Sequence, residues 1–221
     1  LHPYNVKNSG KTMHFNISVK LNNKVEHIRN IELNLLGRHN VLNATAAIGV
    51  AKSLGINNNI IKKTLKNFLG VQRRLTKIAD FRGSEIYDDY AHHPTEITSV
   101  LNAIKSGFKG KKIVTVFQPH RYSRVASLKK EFANAFKDSD LVVLCPIYAA
   151  SEKPLKNINH YELAKLIKKN SKKDVICIEN QFDLERFIKR HTYGNEVIVC
   201  MGAGSISSWI REIAINLKNE H

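Results

Sequence analysis

The residues best equipped for chemistry crowd into one stretch, Ile86-Tyr87-Asp88-Asp89-Tyr90-Ala91-His92-His93-Pro94-Thr95-Glu96. Asp88 and Asp89 have the chemistry to hold Mg²⁺ through water, to accept a ribose hydroxyl or to act as a base. Spacing does not choose between them. His92 and His93 are adjacent, so in an extended loop their rings diverge and do not chelate one ion. No metal ligand is therefore assigned. A second run, Gln118-Pro119-His120-Arg121-Tyr122-Ser123-Arg124, offers three cationic groups. Guanidinium forks match carboxylates and phosphates in bidentate geometry. Positive charge at the start of a helix opposes the dipole, a cost that makes sense opposite an anionic ligand.

Two further groups have a plainer look. In Met201-Gly202-Ala203-Gly204-Ser205 the glycines would let backbone N–H groups at a helix N-terminus approach an anion, with Ser205 a further donor or simply the N-cap. As a dinucleotide fingerprint the motif is only half present, and no ribose-binding acid lies beyond it. His39, Asn40 and Asn43 share one face at the start of another helix. Capping needs one such residue, so the excess reads as a binding surface. Ser9-Gly10-Lys11-Thr12 imitates the tail of a phosphate-binding loop, but Asn5 stands where that loop needs glycine and no apolar strand precedes it. A turn ahead of a strand is the expectation there.

The elements that would carry these groups follow from periodicity. Met13 to Lys20 alternates apolar and polar residues as a half-buried strand does, with a turn at Asn22-Asn23 and a return through Val25 to Leu35. Helices are expected from Gly37 to Leu54, ended by Gly55, and from Asn57 to Phe68, closed by Gly70. From Leu75 the pattern changes. Leu75–Phe81 and Ser84–Tyr87 pair through Arg82-Gly83. Apolar strands at 112–117, 141–145, 175–178 and 197–200 then alternate with helices at 94–108, 127–136, 161–168, 184–190 and 206–215. Near-continuous apolar strands between amphipathic helices predict an α/β fold, a mostly parallel, Rossmann-like sheet covered by helices. Right-handed crossovers gather the strand carboxyl ends on one edge. Residues 88–93, 118–124, 146–152 and 201–205 should therefore line a single crevice.

Bulk properties narrow the function classes. The chain has 221 residues, 43% hydrophobic and 24% charged, enough for one large or two modest domains of ordinary soluble type. No apolar run reaches the roughly 18 residues of a membrane span, and no leader is visible, so a cytoplasmic protein is expected. Because it opens on Leu1, it reads as a fragment or a processed product. Cys145, Cys177 and Cys200 sit in apolar runs, without disulfide or zinc spacing. The net charge of +16 is dispersed over single and paired lysines, which fits a solvated surface or an anionic small substrate better than nucleic acid.

Taken in order, Gly37-Arg38-His39-Asn40-Val41-Leu42-Asn43, Gly70 to Arg74, the Asp88–Glu96 stretch, Phe117 to Arg124 and Met201 to Gly204 resemble the Mur ligase family of peptidoglycan synthesis. The resemblance is to the branch that joins L-alanine to UDP-N-acetylmuramate. A related ligase that reattaches recycled peptide shares the Asp-Asp-aromatic-x-His-His-Pro-Thr loop but not the Gln-Pro-His-Arg form. The resemblance implies that residues 1–74 end a central ATP-binding domain and that 75–221 are the C-terminal domain admitting the amino acid. The family's UDP-binding domain and P-loop have no counterpart here, so the fragment alone is expected to be inactive. The implied reaction is attack of a lactyl carboxylate on the ATP γ-phosphate, with Mg²⁺, then attack of the alanine amine on the acyl phosphate. The implied roles put His39, Asn40 and Asn43 by adenine, and Arg74 and Asp89 by the ribose and phosphates. His92, His93, His120, Arg121, Arg124 and Tyr90 fall by the muramoyl and alanine groups, with Gly204 and Ser205 assisting. Asp89, His92 and His93 are the expected catalytic residues. The expected partners are UDP-N-acetylmuramate, L-alanine and the remaining domains of the same enzyme. Neither nucleic acid nor membrane is expected. The rival classes are the recycling ligase, a basic nucleic-acid module and a nicotinamide-binding domain.

Overall fold

Two sequence patterns, strict alternation and continuous apolar runs, produce two different sheets. The computed structural model describes residues 1–21 and 24–219, so the turn expected at Asn22-Asn23 lies outside the described residues. Contacts group the chain into two units, Leu1–Gly70 with Asn102–Lys109, and Val71–Leu101 with Gly110–His221.

In the first unit, β1 (His2–Ser9), β2 (Thr12–Leu21) and β3 (Lys24–Leu33) form an antiparallel sheet in that order. Alternation in β2 buries Met13, Phe15, Ile17 and Val19 with the apolar faces of α1 (Arg38–Ser53) and α2 (Asn58–Asn67). The strand β1 was not expected. It carries no clean alternation, is mostly exposed, and its register slips between Tyr4 and Lys7, where Asn5 takes a φ of 52°. Gly10-Lys11 is the turn of the β1–β2 hairpin, Ser9 facing Thr12.

The second unit holds a six-stranded sheet in the order β4-β5-β9-β6-β7-β8. β4 (Thr76–Phe81) is an antiparallel edge, joined to β5 (Ser84–Asp89) through Arg82-Gly83; β9 (Glu196–Met201), β6 (Lys112–Phe117), β7 (Leu141–Leu144) and β8 (Asp174–Cys177) run parallel to β5. The last strand thus enters between β5 and β6 and pairs with both. On one face Ile86, Val114, Val116, Val143, Ile198 and Cys200 pack with α7 (Gln181–His191) and α8 (Ile206–Lys218). The alternate residues Phe117, Val142, Leu144 and Val199 are buried on the other face. The remaining helices are α3 (Pro94–Gly107), α4 (Tyr122–Ser127), α5 (Lys129–Asn134) and α6 (His160–Ser171).

Two expectations are corrected. The helix expected at 127–136 begins earlier, at Tyr122, and breaks at Leu128, so Arg124 is a helical residue. Asp88 and Asp89 do not follow a strand; they end it. Asp88 faces Cys200 and Asp89 faces Met201 in the β5–β9 ladder, which carries both carboxylates into the sheet, 0% and 2% exposed.

Candidate functional site

The carboxyl edge of the parallel sheet is built outward from the two aspartates. Strand alternation turns them to opposite faces. The Asp88 carboxylate accepts from the Ser207 hydroxyl at 2.6 Å and the Arg211 guanidinium at 3.1 Å, both on α8, while its Oδ1 is buried without a partner. Asp89 uses both oxygens on backbone: Oδ1 accepts from the Ala91 amide at 2.7 Å and Oδ2 from the Leu75 amide at 2.8 Å. Burial pushes its pKa up to about 6, and those amides with Arg74 only partly offset it. Its carbonyl also accepts from the Gly202 amide at 3.2 Å. Asp89 therefore pins three segments of the edge at once.

The loop after β5 is ordered by Glu96, whose Oε2 accepts from the amides of His92 and His93 at 3.0 and 3.2 Å. Burial alone would raise the Glu96 pKa, but those amides and the His92 ring hold it below the usual range. This is the reciprocal half of a capping box at the start of α3. His93 supplies the other half, its Nδ1 accepting from the Thr95 amide at 3.3 Å. One ring nitrogen of His93 is thus spent on the helix. His92 turns the other way. Its Nδ1 lies 3.0 Å from the Tyr90 carbonyl and its ring centroid is 6.1 Å from that of His120.

His120 stacks on Tyr148 at 5.5 Å between centroids, and its Nδ1 lies 3.2 Å from an Arg124 guanidinium nitrogen. Arginine only donates, so His120 Nδ1 accepts and its proton sits on Nε2. Burial first, then the charges of Arg124, His92 and Arg121, hold its pKa below the ordinary histidine value. At His92 the logic is reversed: a carbonyl only accepts, so in the neutral ring Nδ1 carries the proton and the Nε2 lone pair is left for a partner. The two facing rings are therefore one donor and one acceptor. Arg121 is exposed, and its backbone bends at φ 71° to start α4. The helix end that seemed to carry only positive charge is completed by Glu152, which accepts from the Ser123 amide at 3.0 Å and hydroxyl at 2.5 Å and is held below the usual carboxylate range by those bonds.

The glycine turn closes the edge. Gln118 is 3% exposed; its Oε1 accepts from the Ile206 amide at 3.0 Å and its Nε2 donates to the Ser205 hydroxyl at 3.0 Å. Gln118, not Ser205, caps α8, and Ser205 makes no side-chain cap bond. A Cβ on Gly204 would lie 2.5 Å from both Tyr148 Cγ and Gln118 Oε1. The turn is therefore glycine because Tyr148 lies against it.

This edge coincides with a known family. Residues 73–204 match the family described as "Mur ligase, glutamate ligase domain". The chain belongs to the Mur ligase family. It is 48% identical over 95% of its length to the UDP-N-acetylmuramate–L-alanine ligase of Pelagibacter ubique, of which it covers 45%, and 41% identical over 93% to that of Bartonella tribocorum, of which it covers 43%. Among solved structures it is similar to the UDP-N-acetylmuramate–alanine ligase of Thermotoga maritima, with a TM-score of 0.76 and 30% identity over 94% of this chain and 44% of that one. The chain thus spans about half the length of the curated relatives it matches.

Within this Mur ligase domain the structure brings together Asp89, Tyr90, His92, His120, Arg124, Gly204 and Ser205. His93 borders them but faces its own helix. Arg74 lies 6.0 Å from the Tyr90 ring. His39, Asn40 and Asn43 lie on the first turns of α1 in the first unit, where Asn40 Nδ2 donates to the Leu36 carbonyl at 2.8 Å and Asn43 Nδ2 to Asn40 Oδ1 at 3.5 Å. None of them caps that helix, whose N-cap is Gly37 without a side-chain bond. No Mg²⁺ site is assigned: Asp89 has both oxygens on backbone amides, Asp88 is held by Ser207 and Arg211 with only Oδ1 unpartnered, and among the described residues no group of three His, Cys, Asp or Glu could hold a metal. Sequence reasoning gave no role to Arg73, Gln118, Tyr148 or Glu152. Gln118 had a usable signal, a polar residue directly after an apolar strand. Tyr148 and Glu152 had only their place in the 146–152 loop expected at the crevice, since their partners come from loops distant in the chain.

Proposed function

We propose that the whole protein is an ATP-dependent ligase joining L-alanine to UDP-N-acetylmuramate, and that this chain supplies the amino-acid end of its site. One observation carries the reading: two facing imidazoles with opposite proton demands beside a pair of arginines. An amino acid presents a carboxylate and an ammonium. Arg121 and Arg124 bind the carboxylate, with His120 Nε2–H as a neutral donor beside them. His92 Nε2 takes a proton from the ammonium, freeing the lone pair that attacks the acyl phosphate; an amide forms and phosphate leaves. Tyr90, Gly204 and Ser205 shape the pocket, and the turn's amides face the negative charge that develops on the carbonyl. Asp89 and His93 serve as positioning residues, one pinning the loops and the other capping α3. Arg74 takes ribose or phosphate oxygens of ATP; His39, Asn40 and Asn43 are assigned to adenine. The similarity to alanine-adding ligases supports this substrate choice, and a cytoplasmic setting is part of the same reading.

The test is ADP release by the full-length protein. It should require both UDP-N-acetylmuramate and L-alanine, and Arg121→Ala should raise the KM for alanine at least tenfold with ATP affinity unchanged. ADP release indifferent to alanine would overturn the reading; a loss of ATP affinity in Arg121→Ala would overturn the assignment of that loop.

A further inference from the structure

Arg73 stands out as a residue held at a cost. It takes a φ of 59°, a left-handed conformation that a side chain disfavours, and its Nε is buried with no hydrogen-bond partner. Backbone outliers and orphaned donors of this kind gather at functional sites, because surrounding contacts override their cost. Those contacts are visible. The guanidinium lies 4.6 Å over the Tyr90 ring, one of its nitrogens donates to the Gly202 carbonyl at 2.8 Å, and the Arg73 carbonyl accepts from the Tyr90 amide at 2.8 Å. Tyr90 belongs to the loop after β5 and Gly202 to the turn after β9. Arg73 touches both.

We propose that Arg73 is a positioning residue, holding the Tyr90 ring and the Gly202–Ser205 turn in fixed register so that the turn's amides keep their aim. The planar fork is essential to this role. It stacks flat on the tyrosine while donating sideways to a carbonyl, which an ammonium on a flexible stem does not do. Neighbouring Arg74 does not substitute, since it sits 6.0 Å from the same ring. The role in turnover rests on the ligase reading above; the effect on the turn does not.

Arg73→Gly and Arg73→Lys in the full-length protein test it by amide hydrogen exchange and by steady-state kinetics. Both variants should speed exchange at the Gly202 amide, which donates to the Asp89 carbonyl, at least tenfold while amides in β6 and β7 keep wild-type rates. Both should lower kcat/KM for L-alanine by roughly 10²-fold, the scale of a misplacement near 1 Å. Unchanged exchange at the turn, full recovery in Arg73→Lys, or a uniform rise in exchange through the sheet would each overturn the proposal. Should the wild type show no alanine-dependent ADP release, the ligase reading fails while exchange at the turn still decides this one.

Discussion

Gly204→Ala should disable the site through one methyl group. Gly204 is not at a positive φ, so the demand for glycine is steric. The added Cβ would meet Tyr148 Cγ and Gln118 Oε1 at 2.5 Å and Tyr148 Cβ at 2.7 Å, all below the 3.0 Å under which real Cβ atoms essentially never come. The Tyr148 ring can rotate, but its Cβ cannot easily retreat. The Tyr148 amide donates to the Pro119 carbonyl and its carbonyl accepts from the Arg121 amide, each at 2.8 Å. Gln118 is equally committed, between Ile206 and Ser205. The cost is therefore that of overpacking, about 2 kcal/mol, or roughly 6 °C in melting temperature. Because any relief moves Tyr148 off His120, the KM for alanine should rise with it. Thermal melting and alanine kinetics of Gly204→Ala are compared with those of Gly204→Ala/Tyr148→Gly, which removes both tyrosine contacts but leaves the one with Gln118 Oε1, and should recover part of the melting loss but none of the activity. A single variant that melts like wild type with an unchanged KM would refute the steric argument.

Asp89 should titrate near pH 6 when its carboxyl carbon is followed by NMR. Between about pH 4 and 6 the folded chain then holds a proton that the unfolded chain has released, so stability falls as pH rises across that window, by on the order of 3 kcal/mol. Asp89→Asn should flatten this slope in urea melts at pH 4 and 7. The His120 pKa should rise in Arg124→Met, because a neighbouring positive charge is removed; below pH 6.5 the unfolded chain binds the proton more readily, so wild-type stability increases with pH through that range, and an unmoved imidazole proton titration would count against the contact. Glu196 is buried at the start of β9, its Oε2 accepting from the Ser84 hydroxyl at 2.6 Å and the Tyr193, Gly194 and Asn195 amides at 3.0, 3.0 and 3.1 Å. Burial opposes its ionisation, but these bonds win and lower its pKa, so its contribution is present above the ordinary carboxylate value and lost as pH falls. Glu196→Ala should cost about 3 kcal/mol by denaturant melts at neutral pH, from buried donors left unpaired.

The second unit was legible because each apolar strand was bounded by a helix with a clear stripe. Val197 to Cys200 has no polar interruption and Ile113 to Phe117 only Thr115, the near-continuous apolar pattern of a covered parallel sheet. β1 escaped notice because an edge strand has little to bury, and Asn5 breaks what alternation there is. Asp88 and Asp89 looked like a loop because charge at a strand end ordinarily is one. Only the pairing of β5 with a strand more than a hundred residues later places them in the sheet. For the same reason the roles of Gln118, Tyr148 and Glu152 were hidden: each is defined by a partner from another crossover. His120, Arg121 and Arg124 were visible as a cationic cluster, but the opposed tautomers of His92 and His120 depend on distances that spacing does not encode.

The late insertion of β9 has a consequence for synthesis on the ribosome. A nascent chain makes β5 and β6 early, yet each must keep an edge vacant until Glu196–Met201 emerges. At about 5–20 residues per second that interval lasts on the order of ten seconds. During it the apolar edges of β5 and β6 could pair directly with each other, out of order, and a nascent chain stalled before Glu196 should show the β5 and β6 amides that pair with β9 open to exchange. The vectorial order of translation thus leaves the carboxyl edge of the sheet incomplete until β9 and the turn before α8 are made.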